Sequence, residues 1–322
     1  MTILRIFLWA GFALVMLTTF LPLLHSNTWW VRVWDFPRLH IAVLAVLFAV
    51  AGLFFIKPAL PFAVVLLACA IYQGWKIAPF TSLSKVEIEL EQVGDRHAAS
   101  FLAANVLQDN RDYEKTLDLV RELDPDVLLL METDRKWEKA LEPVLQQYTH
   151  VKSAPLDNYY GMILATRLKV LRSEITYPEA DDIPTILAEM EDRDGNRFFF
   201  IGLHPRPPVP GNPVEETDAL IQRMANLTDQ KELPVIAMGD FNVPAWSWTA
   251  HRFKHHGEYL DPRIGRGMLS SFHAKLPLLR FPIDQLYMTQ GISLIRFGRT
   301  RAIGSDHFPM HAVLAAGERP AK

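Results

Sequence analysis

The chain has 322 residues, enough for one large domain or two of ordinary size; half are apolar, the net charge is −3, and the single cysteine, Cys69, excludes an intramolecular disulfide or a cysteine-built metal centre. Residues 1–84 carry five basic side chains and one acid, whereas the remainder carries 28 basic and 35 acidic ones, so an apolar, basic head precedes an acidic body. That balance argues against a tight, sequence-blind grip on nucleic acid through a basic face. It does not exclude a nuclease whose carboxylates are neutralised by a divalent cation. The boundary falls at 82–85, giving a head of residues 1–84 and a body of 85–322.

Residues 6–24 contain no charge and are long enough to cross a bilayer as a helix. A signal peptide is the competing reading, but the apolar stretch is longer than a usual signal core and no small-x-small cleavage site follows it. Trp29-Trp30 suits a membrane interface. Residues 41–56 and 59–75 form two further apolar runs, divided by Lys57-Pro58, which reads as a tight turn between antiparallel helices. Both are slightly short, so a buried hairpin is the alternative. Three crossings from a cytoplasmic start at Arg5 place the body outside the cytoplasm, as in a multi-pass protein of a bacterial plasma membrane. Arg32 and Arg38 would then lie outside, which weakens the positive-inside signal.

In the body, residues 86–93 alternate apolar and acidic side chains and predict a half-exposed edge strand, turned by 94–96. Residues 100–106 predict a strand, 112–123 a helix capped by Asn110 or Asp112, and 127–131 a strand buried on both faces. A short helix follows over 135–145. Residues 161–165 and 170–176 read as one strand pair, and 184–191 and 197–203 as another, the latter joined by Asp194-Gly195. A helix over 214–228, a buried strand over 234–239 and a helical stretch at 245–256 come next. Strands at 283–288, 292–297 and 308–314 complete an α/β body with two sheets.

Polar residues stand at the ends of several of these strands: Asn105, Glu132, His204, Gly239-Asp240-Phe241-Asn242, Pro282-Ile283-Asp284 and Ser305-Asp306-His307. Loops at strand ends are where layered α/β proteins build sites. Taken in order, the set resembles the endonuclease/exonuclease/phosphatase superfamily, and the resemblance covers about residues 86–317. It implies a four-layered α/β sandwich, two packed mixed sheets flanked by helices, here preceded by the N-terminal transmembrane helices read from the apolar runs. It also implies cleavage of phosphate esters with Mg²⁺ or Mn²⁺. Carried over residue by residue, Glu132 is a hard metal ligand with Asn105 as its uncharged neighbour, and Asp306 is a second carboxylate near the metal. His307 takes a proton from water while Asp284 fixes its tautomer. Asp240 orients the water or assists the leaving oxygen, Asn242 donates to a phosphate oxygen, and His204 donates to charge developing in the transition state.

Each residue also has a bland reading. Glu132 and Asn105 could be solvated loop residues, Asp240 and Asn242 a local turn before Pro244, His204 a surface residue and Asp306 a turn residue. Those readings would all have to hold together. Thr166-Arg167 stands where the family often has Ser-Arg, so Arg167 either touches phosphate or pairs with a carboxylate. His251 and His255, with His256 beside them, have zinc-compatible spacing, but Arg252 and Lys254 favour a basic surface helix. Asn226-Leu227-Thr228 matches a glycosylation acceptor on a helix. The reading is a membrane-anchored phosphodiesterase acting on DNA, RNA or a phospholipid headgroup, with no protein partner implied. A phosphomonoesterase or a non-catalytic module on the same fold are the alternatives.

Overall fold

The computed structural model describes residues 1–92, 97–228 and 232–317. In the head, α1 (Thr2–Phe20), the single turn α2 (Trp29–Arg32), α3 (Arg38–Phe55) and α4 (Ala59–Ile77) follow one another. Three stretches, Thr2–Leu24, Arg38–Phe55 and Ala59–Phe80, are long and apolar enough to cross a membrane. They pack through Leu8, Val15, Ala45, Ala49, Phe62 and Leu66. The small alanines of α3 let the helix backbones approach. Leu47, Phe54, Ile71 and Trp75 point outward, an apolar belt of the kind that marks a membrane or partner surface.

Chain direction sorts the head's charges. Arg5 at the start of α1 donates to the Phe55 carbonyl at the end of α3 (3.1 Å), so this end, with Lys57 beside it, is remote from the body. At the opposite end Arg32 pairs with Asp218 of the body (2.6 Å) and lies 4.4 Å over the Trp248 ring. Arg38 is buried against Asp35 and Gln73, and the Trp246 indole donates to the Asp35 carbonyl at 2.6 Å. Arg32 and Arg38 are therefore neutralised locally, which is why they blur the charge asymmetry of the sequence.

The body is built from β1 (Ala99–Asn105), α5 (Tyr113–Leu123), β2 (Val127–Met131), α6 (Arg135–Leu145), β3 (His150–Ala154), β4 (Met162–Thr166), β5 (Lys169–Thr176), β6 (Thr185–Glu191) and β7 (Arg197–Leu203). It continues with α7 (Val214–Asn226), β8 (Val235–Asp240), α8 (Trp248–His256), β9 (Asp284–Met288), β10 (Ile292–Arg299) and β11 (Met310–Ala316). One sheet has the order β10-β11-β1-β2-β4-β3 and the other β5-β6-β7-β8-β9. Phe101, Leu129, Phe198, Phe200, Met238 and Leu286 fill the space between the sheets. Helices α5 and α6 cover the outer face of the first sheet with Leu117, Trp137 and Leu141, and α7 and α8 cover the second with Leu220, Met224 and Phe253. These are four layers: helices, sheet, sheet, helices.

Two expectations are corrected. Residues 86–92 are not a strand; Leu90 makes a lone bridge to Leu294, while Glu87 turns aside to bond Lys254 and the Asp261 amide. The turn expected at 94–96 lies outside the described residues. The stretches at 161–165 and 170–176 are not paired with each other: β4 runs between β2 and β3 in the first sheet, whereas β5 pairs β6 in the second. The short link after Thr166 is the crossing from one sheet to the other, a step that alternation of apolar residues does not encode. Strand β3, half-exposed at the sheet edge, escaped the sequence reading.

Pairing puts the functional candidates in register. β1 and β2 are parallel with Asn105 opposite Met131, β7 and β8 are parallel with Leu203 opposite Gly239, and Asp240 faces Asp284 across β8 and β9. Asn105, Glu132, His204, Asp240 and Asp284 thus emerge at one edge of the stacked sheets. Gly239 makes this possible, because its φ is +148° and a Cβ there would lie 2.0 Å from the Leu203 carbonyl oxygen.

The contact between head and body gives a test. Arg32→Ala leaves the Asp218 carboxylate buried without its cation, which costs on the order of 3–5 kcal/mol for a fully buried pair. The expected result is a lower unfolding temperature for the full chain in detergent, with Arg32→Lys intermediate; identical melting of all three proteins would mean that head and body do not dock through this pair.

Candidate active site

At that edge the backbone itself is constrained. Glu132 and Asn242 both adopt left-handed φ values, +61° and +53°, which cost non-glycine residues about 1–2 kcal/mol each. Such strain persists only where surroundings hold it. Here the Gln108 amide donates to Glu132 Oε2 (3.2 Å) and the Asn105 side-chain amide donates to Oε1 (2.8 Å). The same Asn105 nitrogen lies 3.1 Å from Asp240 Oδ2, so one neutral donor ties two carboxylates together. The Asn105 oxygen accepts from the Leu107 amide (3.0 Å). Asn242 turns so that its backbone N–H donates to Asp240 Oδ1 (2.8 Å) and its side chain donates to the Pro205 carbonyl (2.9 Å). The local turn foreseen as the bland reading of Asp240 and Asn242 is thus present, and it is what aims Asp240 inward.

Asp240 is buried, with no Lys or Arg ion pair among the described residues. Its Oδ2 lies 3.7 Å from Nε2 of His204 and 3.7 Å from Nε2 of His307. His307 in turn holds Asp284 through Nδ1 at 2.7 Å, and the Ser305 hydroxyl accepts from its backbone N–H (3.0 Å). Asp284 is fixed from behind, its N–H donating to the Ser271 hydroxyl at 3.0 Å.

These positions set the charges. Burial raises the Glu132 carboxyl to about 7, against the opposing pull of Asn105, Gln108 and His307. Burial also raises Asp240, and the neighbouring Asp284 charge adds to it. Burial lowers His204 to about 4, leaving a neutral imidazole. For His307 burial pulls downward, but the Asp284 and Asp240 carboxylates together outweigh it and raise the ring to about 10. The two acids that flank the ring thus favour its protonated form, with Nδ1 on Asp284 at 2.7 Å and Nε2 3.7 Å from Asp240.

The structure thus gathers Asn105, Glu132, His204, Asp240, Asn242, Asp284 and His307 into one connected cluster. Asp306 lies beside His307, half-buried, and its charge helps hold the ring's proton. Asp240, Asp284 and His307 present ligand atoms within 4.8 Å of one another. The donor chemistry fits a hard divalent cation: Glu132 and Asp240 are largely desolvated oxygen donors, and no lysine or arginine among the described residues pairs with either. Arg167 stands apart. The antiparallel register of β2 and β4 puts Thr166 opposite Val127, at the far end of the sheet, and Arg167 pairs with Asp124 at 2.6 Å. His251 and His255 stack at a ring separation of 6.3 Å on α8 with no carboxylate joining them in a metal-binding group among the described residues.

Several participants were not foreseen. Met131 Sδ accepts the Asp240 backbone N–H at 3.1 Å, the Tyr160 ring packs 5.4 Å from His204, and Phe272 lies 4.9 Å from the His307 ring. Tyr160, just before the glycine that opens β4, carried the one signal that could have been read: an aromatic at a strand end. Nothing in the sequence marks Met131 or Phe272.

Comparison with solved structures finds the same fold in D. rerio TDP2 complexed with a single-strand DNA product (TM-score 0.58, 16% identity, 68% of this chain and 99% of that one). It finds it also in the human Nocturnin catalytic domain with bound sulfate (0.56, 14%, 69% and 95%). An endonuclease/exonuclease/phosphatase from Bacteroides vulgatus is similar to the same degree (0.56, 16%, 69% and 100%). Comparison with curated proteins gives no match. The family profile described as "Endonuclease/Exonuclease/phosphatase family" matches residues 101–307. That stretch is well over half of the sequence and holds every residue of the cluster, so the chain belongs to the endonuclease/exonuclease/phosphatase family.

Proposed function

We propose that the chain is a membrane-anchored, divalent-cation-dependent hydrolase of phosphodiesters. The observation that carries this reading is the Asn105–Glu132–Asp240–His307–Asp284 network at one sheet edge, supported by the family's general use of metals in phosphoester hydrolysis. Glu132, with Asn105 as its neighbour, would hold the cation, Mg²⁺ or Mn²⁺, and Asp306, beside His307, would be a second carboxylate near it. When bound it supplies positive charge to the phosphate oxygens and to the leaving oxygen. The chain's own groups do the rest. Asp240 is the acceptor for a water proton, since His307 already carries its protons. As the water oxygen bonds to phosphorus and the ester oxygen departs with the bonding pair, the imidazolium of His307 donates to the charge gathering on phosphate. Neutral His204 donates from the other side of Asp240, and Asn242 positions Asp240 through its backbone.

Removing the proton acceptor with Asp240→Asn should lower the rate by about 10²–10⁴-fold, and His307→Ala by a similar factor. Because both serve one transition state, the double variant should lose far less than the product of the two. Bis-p-nitrophenyl phosphate with Mg²⁺, and its loss on chelation, provides the assay, and His255→Ala should be unaffected. Activity abolished by His255→Ala but intact in His307→Ala would move the site to α8.

The raised Glu132 carboxyl gives a pH dependence. Below about 7 the group keeps its proton in the cation-free protein, and a cation must displace it. Apparent Mg²⁺ affinity should therefore rise between pH 6 and 8, with proton release visible in calorimetry across buffers of different ionisation enthalpy. Glu132→Gln should remove that release. Affinity that is flat with pH would exclude Glu132 as the ligand.

The three apolar helices, with Arg5 and Lys57 at one end and the body at the other, support a bacterial plasma-membrane setting with the body outside the cytoplasm. A reporter fused after residue 322 should be active as alkaline phosphatase and dark as green fluorescent protein. The reverse pattern would show an inverted head or a different number of crossings.

A further inference from the structure

A groove of about 980 Å³ opens where the head meets the body, away from the clustered acids. One wall is the body-proximal part of α3, where Leu39, Val43 and Leu44 face outward. The other wall belongs to residues 268–280, and here three leucines lie almost side by side at the surface. Leu276 and Leu279 are each 47% exposed, and Leu278 is 84% exposed. Solvent-facing loops rarely gather apolar side chains in this way. The loop is tied to the apolar helix, since His40 Nε2 shares a hydrogen bond with the Leu278 carbonyl and the Phe36 ring meets Phe281 edge-on at 5.4 Å. The apolar belt of α3 therefore continues onto the loop.

At the body end of the groove are two arginines. Arg299 lies 4.1 Å and Arg280 5.0 Å from the centre of the same Phe308 ring. Arg280 donates to the Ala274 carbonyl and Arg299 to the Ser270 carbonyl, yet neither has a carboxylate partner among the described residues. Arg280 Nε is buried with nothing to receive its hydrogen. Two guanidinium groups held against one ring repel each other, and a buried N–H without an acceptor is unfavourable. A phosphate oxygen would relieve both, in the geometry that arginine forks suit.

We propose that this groove binds one anionic phospholipid of the surrounding bilayer, its acyl chain along Val43, Leu44 and Leu278 and its phosphate on Arg280 and Arg299. A zwitterionic lipid fits less well, because it brings a cation to a site that holds two cations and no acid. The site also touches the chemistry. Phe308 follows His307 directly, its N–H donates to the Ser271 carbonyl (2.9 Å), and Ser271 holds Asp284. A lipid on the arginines would steady the segment that carries the imidazole. The inference rests on the reading of the head as membrane-embedded, but not on hydrolysis.

The test is native mass spectrometry of the full chain, delipidated in detergent and titrated with dioleoylphosphatidylglycerol or dioleoylphosphatidylcholine. One phosphatidylglycerol should bind at least about tenfold more tightly, with a preference that salt weakens. Arg280→Gln/Arg299→Gln should erase the preference, and Val43→Trp, which fills the groove and leaves both arginines, should weaken uptake of both lipids. Thermal unfolding identifies any variant that fails to fold; Val43→Trp then decides alone. Equal binding of the two lipids, or selectivity unchanged in the folded variants, overturns the proposal. Selective binding by a protein that hydrolyses no phosphoester would sink the catalytic reading and leave this one standing.

Discussion

Buried negative charge is the constraint around which this molecule is arranged. Glu132, Asp240 and Asp284 converge at one sheet edge with no lysine or arginine among their partners within the described residues; the His307 ring lies against them. Desolvating several carboxylates together is costly, and the fold manages it with neutral donors. Asn105, the Gln108 and Asn242 amides and the Ser271 hydroxyl each fix an acid or its backbone. The left-handed residues Glu132 and Asn242 and the close approach at Gly239 belong to the same arrangement. A cluster that strains its backbone to keep acids together is poorly suited to stability and well suited to attracting a cation and a phosphate.

Much of this was legible in the sequence because the signal is simple. A wholly buried strand such as Val127–Met131 leaves its first polar residue at the sheet edge, so Glu132 and Asp240 announce their position by ending apolar runs. Parallel pairing then makes those ends coincide. What was not legible depends on the third dimension. The sheet to which β5 belongs is decided at the link after Thr166, and the sequence on either side reads alike for both outcomes. Arg167 is a further case: its neighbours resemble a family motif, but antiparallel pairing carries it to the opposite edge, onto Asp124. The surroundings of His307 were legible only in part: its pairing with Asp284 was read, the approach of Asp240 was not. A Ser-Asp-His tripeptide suggests a neutral-range base, whereas the ring's pKa is set by Asp284 and Asp240, both distant in the chain.

The head is more closely joined to the body than its composition suggests. The break in charge and hydrophobicity near residue 84 is real, yet Ile77 and Phe80 pack on Ala245 and Trp246, and Arg32 and Asp35 reach across to Asp218 and Trp246. The residues contacted, Trp246 and Trp248, lie just after the Asp240–Asn242 turn. The apolar head and the candidate active site are therefore separated by only a few residues of packed chain.

That proximity bears on how such an enzyme would choose its substrate. The body carries net negative charge, and two arginines with no carboxylate partner among the described residues lie where the apolar helix meets the segment after His307. Along the groove between α3 and residues 268–280, exposed leucines stand beside the guanidinium groups of Arg280 and Arg299. The groove thus joins apolar and cationic surface on one side of the body, apart from a site whose chemistry other chains of this fold could share.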